Sequence, residues 1–454
     1  MSETGIRRLL RSGGVNFAGM ALRLGLSFVV TLFAARYLGK ASYGAVSVGT
    51  TILTAVSTLT MLGLGQGIGG FLPRYEATNK RRGILMSAFS IVMPLSITVG
   101  VGIALLAEPL ATHVFDDKSL VPIIQVCALG IPAANLAQLA ISVVRGKKQT
   151  LPKVIIDDIA LLGSRALLVL VFITFGAGAL AIASAYPLSF LISAAIGIHY
   201  LVRHTSLFPP VETLTMRTEL LSYSLPLWIS AGMSIIYSGF DTFILAYFSE
   251  TAAVGIYKVV YSLSNHVSIL LISLGYIVLP TFSELYSKDD VSEMQSYYQS
   301  VSSWIFLGTL PPFALFLLFP GTVIKLLFGA EYVSGRIALS VLAFGFFFHS
   351  VIGPNAEVLK AVNEPRLVMI DDALSAVVNV ALNLILIPRY SYLGAAVATT
   401  ISYVFLNTAY SYQLYRKTDV HPFSKRYIAL AVATILVILF AKGGQILARV
   451  GTLI

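Results

Sequence analysis

A stretch that the chain uses twice decides the fold: Thr31-Leu-Phe-Ala-Ala-Arg-Tyr-Leu-Gly-Lys-Ala-Ser-Tyr-Gly44. It aligns with Thr242-Phe-Ile-Leu-Ala-Tyr-Phe-Ser-Glu-Thr-Ala-Ala-Val-Gly255, which begins 211 residues later. Two further matches follow in the same order, Ile156-Asp157-Asp158 with Ile370-Asp371-Asp372 and Gly178-Ala-Leu-Ala-Ile-Ala-Ser with Gly394-Ala-Ala-Val-Ala-Thr-Thr. The offset drifts only from 211 to 216 along the chain. This regularity indicates two halves of one kind.

The composition around these repeats excludes a soluble protein. Of the 454 residues, 57% are hydrophobic and only 11% are charged, and the mean hydropathy is +0.84. A soluble globular chain carries about 25% charged residues. With so few charges most of the surface must face lipid, where backbone groups are satisfied inside helices or closed barrels.

Apolar runs long enough to cross about 30 Å of hydrocarbon divide the chain into thirteen predicted spans. The first six lie at 15–36, 44–65, 84–106, 119–144, 154–175 and 179–202. The next six lie at 221–247, 253–279, 301–320, 337–361, 366–387 and 391–415, and one more lies at 426–448. No predicted loop exceeds about 20 residues, so any function is expected inside the helix bundle, and we expect a transporter rather than an enzyme.

Six spans in each half predict an all-α polytopic membrane protein built from two parallel six-helix bundles around a central cavity. The predicted divisions are an N-terminal lobe at 1–205, a cytoplasmic linker at 206–220, a C-terminal lobe at 221–415 and an additional C-terminal helix within 416–454. The single cysteine, Cys127, excludes an intramolecular disulfide and a cysteine-based metal site. No cofactor is expected, and we expect a monomer.

The distribution of Lys and Arg gives the orientation. With the N-terminus in the cytoplasm, 20 of the 31 basic residues fall on the cytoplasmic side and 8 on the outer side. This bias explains the net charge of +10 without nucleic acid as a partner. The sequence therefore predicts a multi-pass protein of the cell membrane, and residues 1–14 are too basic and too poor in apolar residues for a cleavable signal peptide.

Two short motifs resemble those of a known family. The turn Tyr37-Leu-Gly-Lys-Ala-Ser-Tyr-Gly44 after the first span and the Gly394-Ala-Ala-Val-Ala-Thr stretch that opens the twelfth resemble signatures of Wzx-type lipid-linked oligosaccharide flippases. These flippases act in O-antigen and polysaccharide biosynthesis, and their superfamily also contains lipid II flippases and multidrug extruders. The resemblance covers residues 10–415 and implies alternating access that moves a polyprenyl (di)phosphate-linked oligosaccharide from the cytoplasmic to the outer leaflet.

Three other functions are considered beside the flippase. A multidrug extruder of the same superfamily would need carboxylates for cationic drugs, which the two mid-span arginines disfavour. A membrane-embedded polysaccharide polymerase or glycosyltransferase would need a large loop with catalytic groups. A scaffold that transports nothing would leave the cost of buried arginines unexplained.

Arg23 and Arg165 are the principal candidates for substrate binding. Both lie near the middle of a predicted span, and no Asp or Glu is predicted at that level. A guanidinium fork suits phosphate oxygens, so we interpret both as ligands of the substrate (di)phosphate, with Asn16 on the same helical face as Arg23. The alternative is that both arginines bind helix carbonyls and only hold the bundle together.

Three further candidates for substrate contact lie in the second half. His266 and His349 fall at similar depth and are more typical of satisfied core residues. Lys258 lies close to the outer end of its span, where a side chain that reaches the surface is as consistent as ligand contact.

A candidate Na⁺ site consists of Asp241, Asn379, Asn383 and Thr399. Their predicted positions share one depth in the outer third of the membrane, and carboxylate, amide and hydroxyl oxygens suit a hard monovalent cation. Lipid II flippases carry a sodium site on the corresponding helices, which implies the same role here, although Asn383 stands where a carboxylate would be expected. An inter-helix hydrogen-bond cluster and H⁺ coupling through Asp241 remain the alternatives.

Overall fold

The computed structural model describes the backbone of residues 3–204, 215–235, 239–425, 427–430 and 432–434. Side chains are described within these ranges except at residues 3–18, 21, 229–231, 234, 276 and 277. Most of the predicted linker and most of the predicted span 426–448 lie outside the described residues.

The principal helices of the first part of the chain are α1 (Glu3–Thr60), α2 (Leu64–Phe71), α3 (Thr78–Leu105), α4 (Leu120–Leu129), α5 (Ile131–Gly146), α6 (Leu162–Thr174), α7 (Ala179–His204), α8 (Arg217–Ile235) and α9 (Asp241–Phe248). The later ones are α10 (Thr251–Asn265), α11 (Ile269–Ser287), α12 (Val291–Leu318), α13 (Pro320–Phe328), α14 (Arg336–Val351), α15 (Asn355–Ala361) and α16 (Pro365–Thr418). The described residues contain no β-strand, so the predicted all-α class is confirmed.

Seven helical segments of the described chain are long and apolar enough to cross a bilayer, and a bent pair would add an eighth. This is fewer than thirteen because α1 contains the predicted span 15–36 and most of 44–65, and α16 contains 366–387 and 391–415. Other predicted spans are interrupted by short breaks. The chain is a multi-pass helical membrane protein, whereas its division into two six-helix lobes remains a prediction.

The chain forms two compact units, residues 1–255 and 256–454. The first has a core around the fully buried side chains of Leu64, Ile84 and Val143. The second has a core around Phe282 and Tyr298, which are also fully buried. The first unit thus contains α8 and α9, which the sequence had assigned to the second lobe; the lobe boundary itself stays a prediction.

Backbone breaks recur with the spacing of the sequence repeat. Lys148 and Asn363 both have left-handed backbone, with φ of 57° and 64°, and lie 215 residues apart. Gly176 and Ser391 repeat this relation, with φ of 70° and 51°. Asn363 and Gly176 each precede a long helix, whereas Ser391 lies at the kink inside α16. Positive φ therefore recurs at matching positions of the two sequence copies.

The last glycine of each copy of the opening motif lies in a backbone-to-backbone contact. A Cβ atom on Gly44 would collide with the carbonyl oxygen of Thr251, and one on Gly255 would collide with the carbonyl oxygen of Lys40. Only glycine permits so close an approach of two backbones. Both glycines are therefore fixed by the packing of α1 against the start of α10.

Candidate functional site

Arg23 lies in an ion cluster, contrary to the prediction that it lacks an acidic partner. Its Nη2 atom lies 2.6 Å from Oδ2 of Asp157 and 2.6 Å from Oδ1 of Asp158, and its Nε donates to the same Asp158 oxygen at 2.8 Å. Lys153 Nζ approaches Asp158 Oδ2 at 3.1 Å. The carboxylates neutralise the Arg23 guanidinium, so the prediction of an uncompensated charge at this residue is wrong.

A π-helical turn, residues 154–161, accounts for the cluster. Neighbouring residues of an α-helix point about 100° apart, so one helix rarely aims two consecutive carboxylates at one cation. In the widened turn Asp157 and Asp158 are both buried, 5% and 1% exposed. Lys147 and Lys148 lie nearer to this pair in the sequence than Arg23 does. The structure pairs it with Arg23, Lys153 and, at 3.5 Å, Arg145 instead.

The environment of Lys147 explains why it is not part of the ion cluster. It lines a cavity of about 400 Å³ together with Arg81. Burial, and secondly the positive charge of Arg81, lower the pKa of the Lys147 ammonium group. Lys147 is therefore held among basic groups rather than beside the aspartates.

Arg165, unlike Arg23, has no carboxylate partner among the described residues, which is what the sequence predicted for both arginines. Its Nε donates to Ser189 Oγ at 3.1 Å, and its guanidinium lies over the rings of Tyr186 and Phe190, 4.4 and 5.1 Å from their centroids. Among the described residues no carboxylate pairs with it, and its buried Nη2 has no hydrogen-bond partner. Such a group is costly unless an anion or water meets it.

A polar cavity adjoins this arginine through Phe190. It measures about 290 Å³. Besides the Phe190 ring, its polar lining is made of hydroxyl and amide side chains, namely Thr54, Ser57, Thr58, Gln66, Asn135 and Gln138. Ser57 and Asn135 are joined across α1 and α5 by a hydrogen bond of 2.5 Å. The first unit thus places uncharged hydrogen-bonding groups next to the half-buried cation Arg165.

The other predicted substrate contacts are dispersed. Asn16 lies on α1, but its side chain is outside the described ones. Lys258 is half-buried on α10. His266 is half-buried, and its Nδ1 lies 2.5 Å from the Ser262 carbonyl oxygen. His349 Nδ1 lies 2.9 Å from Asn407 Nδ2, and the ring stacks on Tyr403 with centroids 4.9 Å apart.

The candidate cation ligands belong to different units. Asp241, in the first unit, is 4% exposed and accepts hydrogen bonds from the Thr242 amide at 2.6 Å and hydroxyl at 3.2 Å. In the second unit, Asn383 Nδ2 donates to Asn379 Oδ1 at 2.9 Å, and both residues are buried. The buried Asn383 Oδ1 has no hydrogen-bond partner among the described residues. Thr399 Oγ1 lies 3.3 Å from the Tyr257 hydroxyl rather than on the asparagine pair.

Sequence reasoning missed two sets of residues. The aromatic platform of Arg165 could have been found, because Tyr186, Ser189 and Phe190 follow the i, i+3, i+4 spacing of one helical face. The ionic partners of Arg23 carried no such signal, since a π-helical turn is not legible from composition or periodicity.

The comparison with protein families settles the family. The model of the family described as polysaccharide biosynthesis protein matches residues 9–286, and that of the lipid II flippase MurJ matches residues 215–450. The chain belongs to the polysaccharide biosynthesis protein family. Its members are flippases of the MOP superfamily, so the predicted family is confirmed.

One curated relative extends over most of the chain. It is described as "Probable low-salt glycan biosynthesis flippase Agl15" from Haloferax volcanii. It is 25% identical over 411 residues, which cover 89% of this chain and 83% of the relative.

Two solved structures share the fold. One is an inward-facing multidrug resistance MATE family transporter of the MOP superfamily, with a TM-score of 0.72 and 14% identity over 86% of this chain and 94% of that one. The other is lipid II flippase MurJ in an inward closed conformation, with a TM-score of 0.69 and 14% identity over 97% of this chain and all of that one. Family and relatives indicate a transporter or flippase rather than an enzyme.

Proposed function

We propose that this flippase moves a polyprenyl (di)phosphate-linked oligosaccharide from the cytoplasmic to the outer leaflet of the cell membrane by alternating access. The observation that carries the proposal is Arg165, whose buried Nη2 has no hydrogen-bond partner and whose guanidinium no described carboxylate neutralises. A phosphate oxygen would supply both the missing acceptor and the missing negative charge. A cationic drug would be repelled by the same group, which favours the glycan lipid over a multidrug substrate.

The polar cavity beside Phe190 suits the sugar attached to the phosphate. Its hydroxyl and amide side chains donate and accept hydrogen bonds, as sugar hydroxyls do. Because the lining carries no formal charge, it suits a neutral group attached to the anion that Arg165 would bind.

An aromatic groove in the second unit suits the polyprenyl tail of the lipid. It measures about 1030 Å³ and is lined mostly by apolar and aromatic side chains, among them Phe313, Phe347 and Tyr412. The rings of Phe313 and Phe347 stack with centroids 4.0 Å apart. Such a surface suits a polyprenyl tail and offers almost nothing to a charged headgroup.

Transport of a labelled lipid-linked glycan in proteoliposomes tests the proposal. We expect Arg165→Gln to slow flipping about 30-fold, since a charged hydrogen bond is worth about 2 kcal/mol. Arg165→Lys should restore only part of the rate, because an ammonium lacks the planar fork. The matched control is Arg389→Gln, which removes an exposed arginine. An unchanged rate in Arg165→Gln, or transport of a cationic dye in place of the glycan lipid, would refute the proposal.

A cation, Na⁺ or H⁺, is proposed to couple the cycle. The support is the buried Asn383 Oδ1, which has no hydrogen-bond partner among the described residues and can ligate a cation, and the buried Asp241 carboxylate, which can bind a cation or a proton. One charge moving down 100 mV supplies about 2.3 kcal/mol, which is roughly a 50-fold bias in occupancy. The flipping rate is therefore expected to rise with an imposed Na⁺ or proton gradient and to lose this response in Asp241→Asn. Flipping that ignores both gradients and this substitution would remove the coupling.

A further inference from the structure

A second polar cavity lies entirely within the unit 256–454. It measures about 540 Å³, well inside the size range of ligand pockets. The lining includes apolar side chains and six polar ones, His349, Asn355, Glu357, Lys360, Asp372 and Tyr410. None of the interactions proposed above for Arg165 or the coupling cation uses this cavity.

A break between two helices creates the cavity. Helix α14 ends at Val351, the chain turns through Gly353 with φ of 89°, and α15 begins at Asn355. The turn is held in place, because the buried Tyr298 hydroxyl donates to the Ile352 carbonyl oxygen at 2.9 Å. A Cβ atom on Gly353 would collide with the Ser302 hydroxyl. The break is therefore a packed feature that exposes polar groups to an interior space.

Buried hydrogen bonds orient the polar groups of this cavity. Asn355 is 2% exposed, and its Nδ2 donates to Ser411 Oγ at 3.3 Å. The Tyr410 hydroxyl donates to Asp372 Oδ1 at 2.5 Å. Asn407 occupies Nδ1 of His349, which leaves Nε2 as the ring nitrogen for a ligand. Side chains fixed in this way bind without first losing conformational freedom.

The charges of the lining select the class of ligand. It holds two carboxylates, Glu357 and Asp372, and one ammonium, Lys360, which lies 3.6 Å from Glu357. The excess of negative charge in this lining disfavours binding of a phosphate group. Carboxylates that accept, an ammonium that donates and an imidazole that does either suit a group rich in hydroxyls.

We propose that this cavity binds the neutral sugar residues of the lipid-linked glycan. The inference rests on the proposed function and adds a site in the second unit whose chemistry complements that of the first. In the first unit Arg165 suits the anionic phosphate and the cavity beside it suits the sugar attached to that phosphate. The lining of the second cavity suits the hydroxyls of further sugars of the same glycan. In the predicted orientation Lys360 lies at the cytoplasmic end of its span, where a glycan attached to an inner-leaflet lipid would arrive.

Binding to the full chain in lipid nanodiscs tests the sugar site. The probes are the lipid-linked glycan purified from the organism that carries the chain, and the same lipid after hydrolysis to the bare polyprenyl phosphate. Wild type should bind the glycan-bearing lipid at least tenfold more tightly. We expect Glu357→Gln and Asp372→Asn each to lower this preference about tenfold, because each removes a charged acceptor of sugar hydroxyls. Affinity for the bare lipid should stay within twofold.

The matched control is Asp371→Asn. This neighbouring carboxylate does not line the cavity and instead accepts from Gln413 Nε2 at 2.8 Å, so the preference should persist. If Asp372→Asn fails to fold, Lys360→Met keeps the test valid, since the Lys360 side chain is 43% exposed and should also lower the preference.

Two outcomes overturn the sugar site: variants that keep the preference, or variants that weaken both lipids equally. The flipping assay separates this failure from failure of the proposed function. If wild type flips the glycan lipid but the variants keep its preference, only the sugar site is wrong. If wild type neither binds nor flips the glycan lipid, both proposals are wrong.

Discussion

Arg23 and Arg165 show how far a single residue can be interpreted from sequence. Both are arginines near the middle of apolar runs, and the sequence gives no reason to treat them differently. The structure assigns Arg23 to an ion cluster with Asp157 and Asp158 and leaves Arg165 without a described carboxylate partner. The difference arises from the π-helical turn, which carries two buried carboxylates to one arginine and none to the other.

The pair of Arg23 and Asp158 should be strongly coupled in stability. Removing one partner of a buried pair leaves a costly charge. Arg23 is 39% exposed and Lys153 remains beside Asp158, so we expect Arg23→Gln to cost about 2 kcal/mol rather than the full penalty. The double variant Arg23→Gln with Asp158→Asn should recover part of this loss. Chemical unfolding in mixed micelles measures all corners of the cycle.

The control cycle uses Glu284 and Lys288. This ion pair has a distance of 2.8 Å, but its side chains are 68% and 61% exposed. Water screens such a pair, so no measurable coupling is expected. Equal coupling energies in the two cycles would contradict the view that burial makes the Arg23 cluster stable.

The sequence predicted the helices of this chain, but it predicted only some of the breaks within and between them. The Gly-rich stretch 63–70 predicts a bend at the end of the second span, and Gly63 has φ of 73° at the start of α2. The predicted boundary between the spans 366–387 and 391–415 also falls at the kink of α16, where Ser391 has φ of 51°. By contrast, the break after α14 was missed, because its residues continue an apolar run, and the cavity beside it was missed for the same reason.

The two copies of the acidic pair show that repeated elements need not share a role. Asp157 and Asp158 in the first unit pair with Arg and Lys side chains. In the second unit, Asp371 accepts a hydrogen bond from Gln413, and Asp372 accepts one from Tyr410. The matching sequence therefore predicted the position of the second pair along its helix but not its partners.

The kink within α1 depends on one glycine. Gly39 has φ of 77° and ψ of 168°, a conformation that residues with a Cβ atom rarely adopt. We expect Gly39→Ala to lower the free energy of unfolding by about 2 kcal/mol. A lower melting temperature in detergent would measure this loss.

Gly25 provides the control in the same helix. A Cβ atom there would meet nothing within 4 Å in the described part of the chain, so Gly25→Ala should leave the melting temperature unchanged or raise it slightly. Equal effects of the two substitutions would show that the kink does not require left-handed backbone.

At the scale of the whole molecule, the resemblance of two short motifs predicted the family. Composition and repeats predicted the helical membrane class, because solvation by lipid restricts the chain to few architectures. They did not predict which helices are continuous or where cavities form, since both depend on contacts between distant residues. The orientation rests on the distribution of Lys and Arg alone and calls for a direct test.

Labelling of introduced cysteines can measure the orientation. Cys127 is fully buried, so the wild-type chain should not react with a membrane-impermeant maleimide. Lys118 and Lys80 are both exposed. Lys118 is predicted to lie on the outer side of the membrane and Lys80 on the cytoplasmic side. In intact cells Lys118→Cys should label, whereas Lys80→Cys should label only after the membrane is opened. The reverse pattern would place the N-terminus outside.

The contact of Gly44 with Gly255 also bears on how the molecule originated. The Thr251 carbonyl oxygen meets Gly44, and the Lys40 carbonyl oxygen meets Gly255. Thr251 and Gly255 are the repeat counterparts of Lys40 and Gly44, 211 residues later, so the two contacts are equivalent. Reciprocal contacts of this form define the interface of a symmetric homodimer. Gene duplication and fusion of a half-length ancestor that paired with itself would leave such a contact, now made inside one polypeptide.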